Sequence, residues 1–91
     1  MIGIMNCQVT EPSNKCMKEQ CKDEIIKCSL DRPKQGSSCN EIISSCSRKI
    51  TDPRDYPSFA FCVGRFDNCR ADNIVLCAYD NDCDVIDPFT S

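Results

Sequence analysis

Ninety-one residues suffice for one small domain, and a core of that size is marginal by itself; ten cysteines point to covalent cross-links that supplement it. Histidine is absent, which removes the commonest metal ligand and the usual general base, and no basic block is long enough to track a phosphate backbone, so no nucleic-acid partner is expected. The net charge of −3 is divided unevenly, with eight basic and six acidic side chains in residues 1–50 but three and eight in residues 51–91.

The opening "MIGIM" is apolar but lacks the length and flanks of a signal peptide. The sequence therefore reads as a mature chain whose secreted, extracellular location is inferred from its cysteines alone. No apolar run is long enough to span a bilayer. No repeat or low-complexity linker divides the chain, so residues 1–91 are expected to form a single disulfide-rich helical domain.

The first helix is predicted over 12–28, opened by Pro12, with Met17, Cys21, Ile25 and Cys28 on one face and six charged side chains on the other. "DRPKQGSS" breaks the chain. Ser38-Cys39-Asn40-Glu41 then forms a capping box, in which Glu41 reaches back to the N–H of the cap residue. Cys39, Ile42, Ile43, Cys46 and Ile50 follow as an apolar stripe at helical spacing. "TDPRDYP" ends that helix. A third helix from Ser58 puts Phe59, Cys62, Val63, Phe66 and Cys69 on its inner face, weakened at Gly64. A short fourth, capped by Asp72, carries Ile74, Val75, Cys77 and Ala78. The acidic tail after Cys83 is expected to be loosely held. The fold class is all-α, a small disulfide-stapled bundle of about four short helices.

Three cysteine pairs, Cys21/Cys28, Cys39/Cys46 and Cys62/Cys69, are spaced i, i+7. Seven helical residues rise about 10.5 Å, beyond the roughly 7 Å that a disulfide spans between Cα atoms, so each pair aims at a different helix. No C-x-x-C is present, which argues against zinc and thioredoxin-type chemistry. Cys7, Cys16, Cys21, Cys28, Cys39, Cys46, Cys62, Cys69, Cys77 and Cys83 are accordingly expected to form five structural disulfides, with the pairing left open.

"YDNDCDVID" brings four aspartates close together, but an EF-hand loop needs glycine and glutamate where Val85 and Ser91 stand, so a solvated acidic tail is the better account. No nucleophile and base can be paired, and neither catalytic residues, metal nor cofactor is expected; the chain does not read as an enzyme. Arg48, Lys49, Arg54, Tyr56, Arg65 and Arg70, interleaved with Phe59 and Phe61, are the candidate partner-binding residues, because interfaces enrich arginine and aromatics. Against this stands the plainer account of helix-end charges and core aromatics. Ile2, Ile4, Met5 and Phe89 lie outside the stapled region and suggest a homodimer contact, set against simply loose termini.

The spacing C-x4-C-x6-C in "CMKEQCKDEIIKC", followed by "CNEIISSC", resembles the large helical conotoxins, the con-ikot-ikot group and the ten-cysteine macro-conotoxins. That resemblance, over residues 7–83, implies a secreted venom protein, often dimeric, that modulates the outer face of a neuronal ion channel or receptor. "FCVGRFDNC" and "IVLCAYDNDC" look like the closing part of the cysteine-rich domains of GDNF-family receptors. The alternative they imply is an extracellular binding module for a growth factor, or, in the saposin style of small stapled helices, for lipid.

Overall fold

The computed structural model describes residues 13–89, and those residues contain five α-helices and no strand. They are α1 (Lys15–Gln20), α2 (Lys22–Ser29), α3 (Cys39–Lys49), α4 (Tyr56–Gly64) and α5 (Cys69–Asp80). The all-α, disulfide-stapled expectation is met, with one helix more than the sequence suggested.

The extra helix comes from the first one. Its helical residues begin at Lys15, and the pattern is interrupted at Cys21, whose backbone (φ −113°, ψ 29°) leaves the helical region. The interruption falls at the residue bridged to Cys77 of α5. Met17 and Cys28 are buried as expected, and the lysines face solvent.

α3 begins as its capping box predicts. The Ser38 N–H donates to Glu41 Oε1 at 2.9 Å, and the hydrogen bonds from Ser38 hold the Glu41 carboxyl below the ordinary carboxylate range. A second anchor was not visible in the sequence. Asp31 Oδ2, from the loop before α3, accepts the Cys39 N–H at 3.0 Å and the Asn68 side-chain amide, also at 3.0 Å.

α4 is shorter than the predicted third helix. After Gly64 the chain tightens into i→i+3 turns, from Arg65 N–H to the Cys62 carbonyl and from Phe66 N–H to the Val63 carbonyl. Asp67 then takes a positive φ of 51°. That reversal corrects two expectations. Phe66 is 43% exposed instead of buried, and Cys69 lies on the surface at the start of α5. α5 is capped by Asn68, whose side-chain oxygen accepts from the Arg70 and Ala71 N–H groups, so Asp72 sits inside the helix and does not cap it.

α5 packs against all four other helices and is the axis of the fold. Ile74, Val75 and Ala78 on its inner face meet Met17, Ile42, Ile43, Phe59 and Val63 in one cluster. Its C-terminus closes with a Schellman arrangement: Cys83 N–H reaches the Ala78 carbonyl, Asp82 N–H reaches the Tyr79 carbonyl, and Asp82 adopts φ 56°. The turn brings Cys83 back to Cys16.

The expectation of a loosely held tail is wrong for residues 84–89. Val85 is buried and donates its N–H to the Pro53 carbonyl at 2.8 Å. Asp87 is buried, and its Oδ1 accepts from the Ser44 hydroxyl and the Phe89 N–H at 2.9 Å each. Phe89 is half-buried against the core, so part of its ring is covered within the chain itself. Acidic composition hid a segment whose apolar residues complete the core and whose carboxylates are answered by specific donors.

Candidate functional site: an aromatic and arginine face on a stapled scaffold

Four disulfides join the helices among the described residues: Cys16–Cys83, Cys21–Cys77, Cys28–Cys39 and Cys46–Cys62. Every one of them links different segments, as the i, i+7 argument requires, and none closes within a helix. Cys28 and Cys39 lock α2 to α3, Cys46 and Cys62 lock α3 to α4, and the other two tie both ends of α1 to α5 and the turn after it. Cys69 takes part in none of these bridges, and Cys7 lies outside the described residues, as do Ile2, Ile4 and Met5. Four such bonds point to an extracellular or secreted protein. No helix among the described residues is long and apolar enough to cross a membrane.

The six candidate partner-binding residues divide into two groups. Four are engaged within the fold. Arg54 forms ion pairs through Nη1 with Asp82 (2.5 Å) and through Nε with Asp84 (2.8 Å), and these two carboxylates raise its already high pKa further. Tyr56 is half-buried, donates its phenol hydrogen to the Cys83 carbonyl at 2.7 Å, and meets the Tyr79 ring edge-on at a centroid distance of 5.4 Å. Arg70 donates to the Lys27 carbonyl at 2.9 Å, binding the start of α5 to α2. Arg48 donates through Nε to the Ser44 carbonyl one turn back. Arg54, Tyr56 and Arg70 thus join separate segments of the scaffold, while the Arg48 bond stays within α3.

Lys49 and Arg65 remain. Both are exposed, and neither side chain makes a hydrogen bond or ion pair among the described residues. Arg65 is the more informative, because Phe61 precedes it by one helical turn and Phe66 follows it directly. Phe61 is 73% exposed, so two phenylalanines and an uncommitted guanidinium share the C-terminal end of α4. Phe59, by contrast, is fully buried. The wheel geometry of "SFAFCVGRF" could have separated Phe59 and Val63 from Phe61 and Arg65, but placing Phe66 outside required the reversal at Asp67.

A second apolar feature lies between α4 and α5. Tyr56, Pro57, Ala60, Val75, Leu76 and Tyr79 line a shallow groove of about 270 Å³ with no polar surface in its walls. Leu76 and Tyr79 are more than half exposed along it. Among the described residues no three His, Cys, Asp or Glu side chains are placed to share a metal ion.

No protein-family model matches the chain, no curated protein matches it, and no solved structure matches it.

Proposed function

We propose that this protein is secreted and acts by surface recognition, binding and modulating the extracellular face of a membrane ion channel or receptor through the end of α4. The observation that carries the reading is the exposure of Phe61 and Phe66 beside Arg65, whose side chain has no partner among the described residues. Aromatic and arginine side chains dominate binding energy at protein interfaces, and exposing two phenylalanines in so small a domain costs solubility unless they are used. Four disulfides hold that face on a stiff frame, so little conformational entropy is lost when it docks. The resemblance of the cysteine spacing to large helical conotoxins supports a neuronal channel or receptor as the partner class.

The experiment is to apply the folded protein externally to cells that each express one neuronal channel or receptor while recording current, with binding to phosphatidylcholine/phosphatidylserine vesicles measured in parallel. A changed current at one or more targets, without vesicle binding, is expected. Unchanged currents throughout, with clear vesicle binding, would assign the protein to the lipid-binding alternative.

A further inference from the structure

We infer that the apolar groove between α4 and α5 is a separate binding site, for an amphipathic helix that sets apolar side chains into the groove and a lysine or arginine on either side of them.

The walls decide the class of occupant. Tyr56, Pro57 and Ala60 of α4 face Val75, Leu76 and Tyr79 of α5 across about 270 Å³, with no polar surface between them. That volume lies below the roughly 300–1,000 Å³ of small-molecule cavities, and the groove is shallow, so it suits the anchoring side chains of a larger partner. No strand edge is present among the described residues, so an extended peptide finds no sheet to join. Seating a helix by its apolar face is the mode that such a groove allows.

Charge beside the groove decides what flanks those anchors. Asp72 precedes Leu76 by four residues and Asp80 follows it by four, so each carboxylate lies one turn from Leu76 on the same side of α5. Neither side chain makes a hydrogen bond or ion pair among the described residues. Asp80 is the last residue of α5, where the helix carbonyls disfavour a negative charge and no basic residue in the last turn offsets it. Asp72 stands beside open space. α4 and α5 run antiparallel, with Tyr56 meeting Tyr79 and Ala60 facing Val75 and Leu76, and this register sets Gly64 level with Asp72. A Cβ added at Gly64 would meet nothing within 4 Å. Arg54, two residues before the groove begins, is already engaged by Asp82 and Asp84.

The two aspartates are eight positions apart, a rise of about 12 Å along α5. On a partner helix lying along the groove, basic residues seven or eight apart span the same distance and flank apolar residues three and four places after the first. The carboxylates repel acidic lipid headgroups, and a second copy docked groove to groove would set like charges against each other. Arg65 and the exposed phenylalanines form a surface of opposite charge further along α4, so the two sites select different segments.

Tyrosine fluorescence of the full-length protein reads the groove directly, because the chain has no tryptophan and its two tyrosines both line it. The probe is an acetylated, amidated alanine/glutamine helix without aromatics, carrying lysine at i and i+7 and leucine at i+3 and i+4. Expected is a saturable change in tyrosine emission whose dissociation constant rises with salt. Asp72→Asn/Asp80→Asn keeps the side-chain shapes and should weaken binding on the order of tenfold at low salt. Ala60→Arg, at an exposed position in the groove wall, should abolish the change. No change in emission up to millimolar peptide would overturn the inference, as would equal binding by the same peptide with glutamate in place of lysine. So would a change produced by phosphatidylserine vesicles alone, or by raising the protein concentration without peptide, which would give the groove to lipid or to a second copy.

Discussion

The Tyr56 phenol donates to the carbonyl oxygen of Cys83 at 2.7 Å, so the first residue of α4 is tied to the same residue that is disulfide-bonded to Cys16. The turn after α5 is thereby a junction of three segments. A covalent bond comes from α1, a side-chain hydrogen bond comes from α4, and the Schellman turn comes from α5 itself.

Tyr56→Phe keeps the ring and removes only the hydroxyl. A loss of about 0.5–1.5 kcal/mol is expected in urea unfolding with the disulfides intact. Burial pushes the Tyr56 phenol above its ordinary value, with Asp82 and Asp84 adding to the shift and Arg54 opposing it. The folded state therefore favours the neutral phenol, and its stabilising contribution is complete below the unfolded pKa of about 10 and lost as pH rises through the higher folded value. Absorbance titration at the phenolate band should show a component whose midpoint lies above that of a free tyrosine and which Tyr56→Phe removes. A Tyr56 component with a midpoint at or below the free-tyrosine value would contradict the burial of its phenol.

Asp31 serves two helices at once, accepting from the first N–H of α3 and from the side chain that caps α5. Asp31→Ala should cost about 1–3 kcal/mol, because both donors lose a charged acceptor. Hydrogen exchange gives the discriminating readout: amides at the starts of both α3 and α5 should exchange faster. Acceleration confined to α3 would mean that Asn68 holds α5 without help.

Cys16–Cys83 and Cys21–Cys77 bridge the same two segments, at sequence separations of 67 and 56. Either bond in isolation closes a long loop worth about 4–4.5 kcal/mol in the chain-entropy account. With its neighbour in place, each closes only the short ring through 16–21 and 77–83, worth about 3 kcal/mol. Cys16→Ala/Cys83→Ala and Cys21→Ala/Cys77→Ala are each expected to remain folded. Their combination should cost more than the sum of the two, measured by denaturant unfolding. Simple additivity would show that the unfolded chain does not feel the shared constraint.

The sequence carried the all-α class, the start of α3 and the rule that its cysteine pairs bond between helices, because these depend on local capping chemistry and on helical rise. What it hid depended on tertiary partners. Nothing near Cys21 announces a break in the first helix. The Asp67 reversal, which moves Phe66 and Cys69 to the surface, depends on Asn68 capping α5 while its amide is held by Asp31. The tail misled in the opposite direction, since Asp82, Asp84 and Asp87 read as solvated charge until Arg54 and Ser44 are seen beside them. The same effect divided the candidate interface: arginines that looked alike in sequence are internal ties at positions 54 and 70 and an uncommitted surface group at 65.

The central claim, recognition through the end of α4, is tested most directly by potency at a responsive channel or receptor for Phe61→Ala/Arg65→Ala against the unaltered protein. Both side chains are exposed, so unfolding free energy should change by less than about 0.5 kcal/mol for each. Two interface anchors worth about 1–2 kcal/mol apiece predict a loss of potency on the order of 30-fold or more. Undiminished potency in a fully folded double variant would contradict the account and place the contact elsewhere on the scaffold.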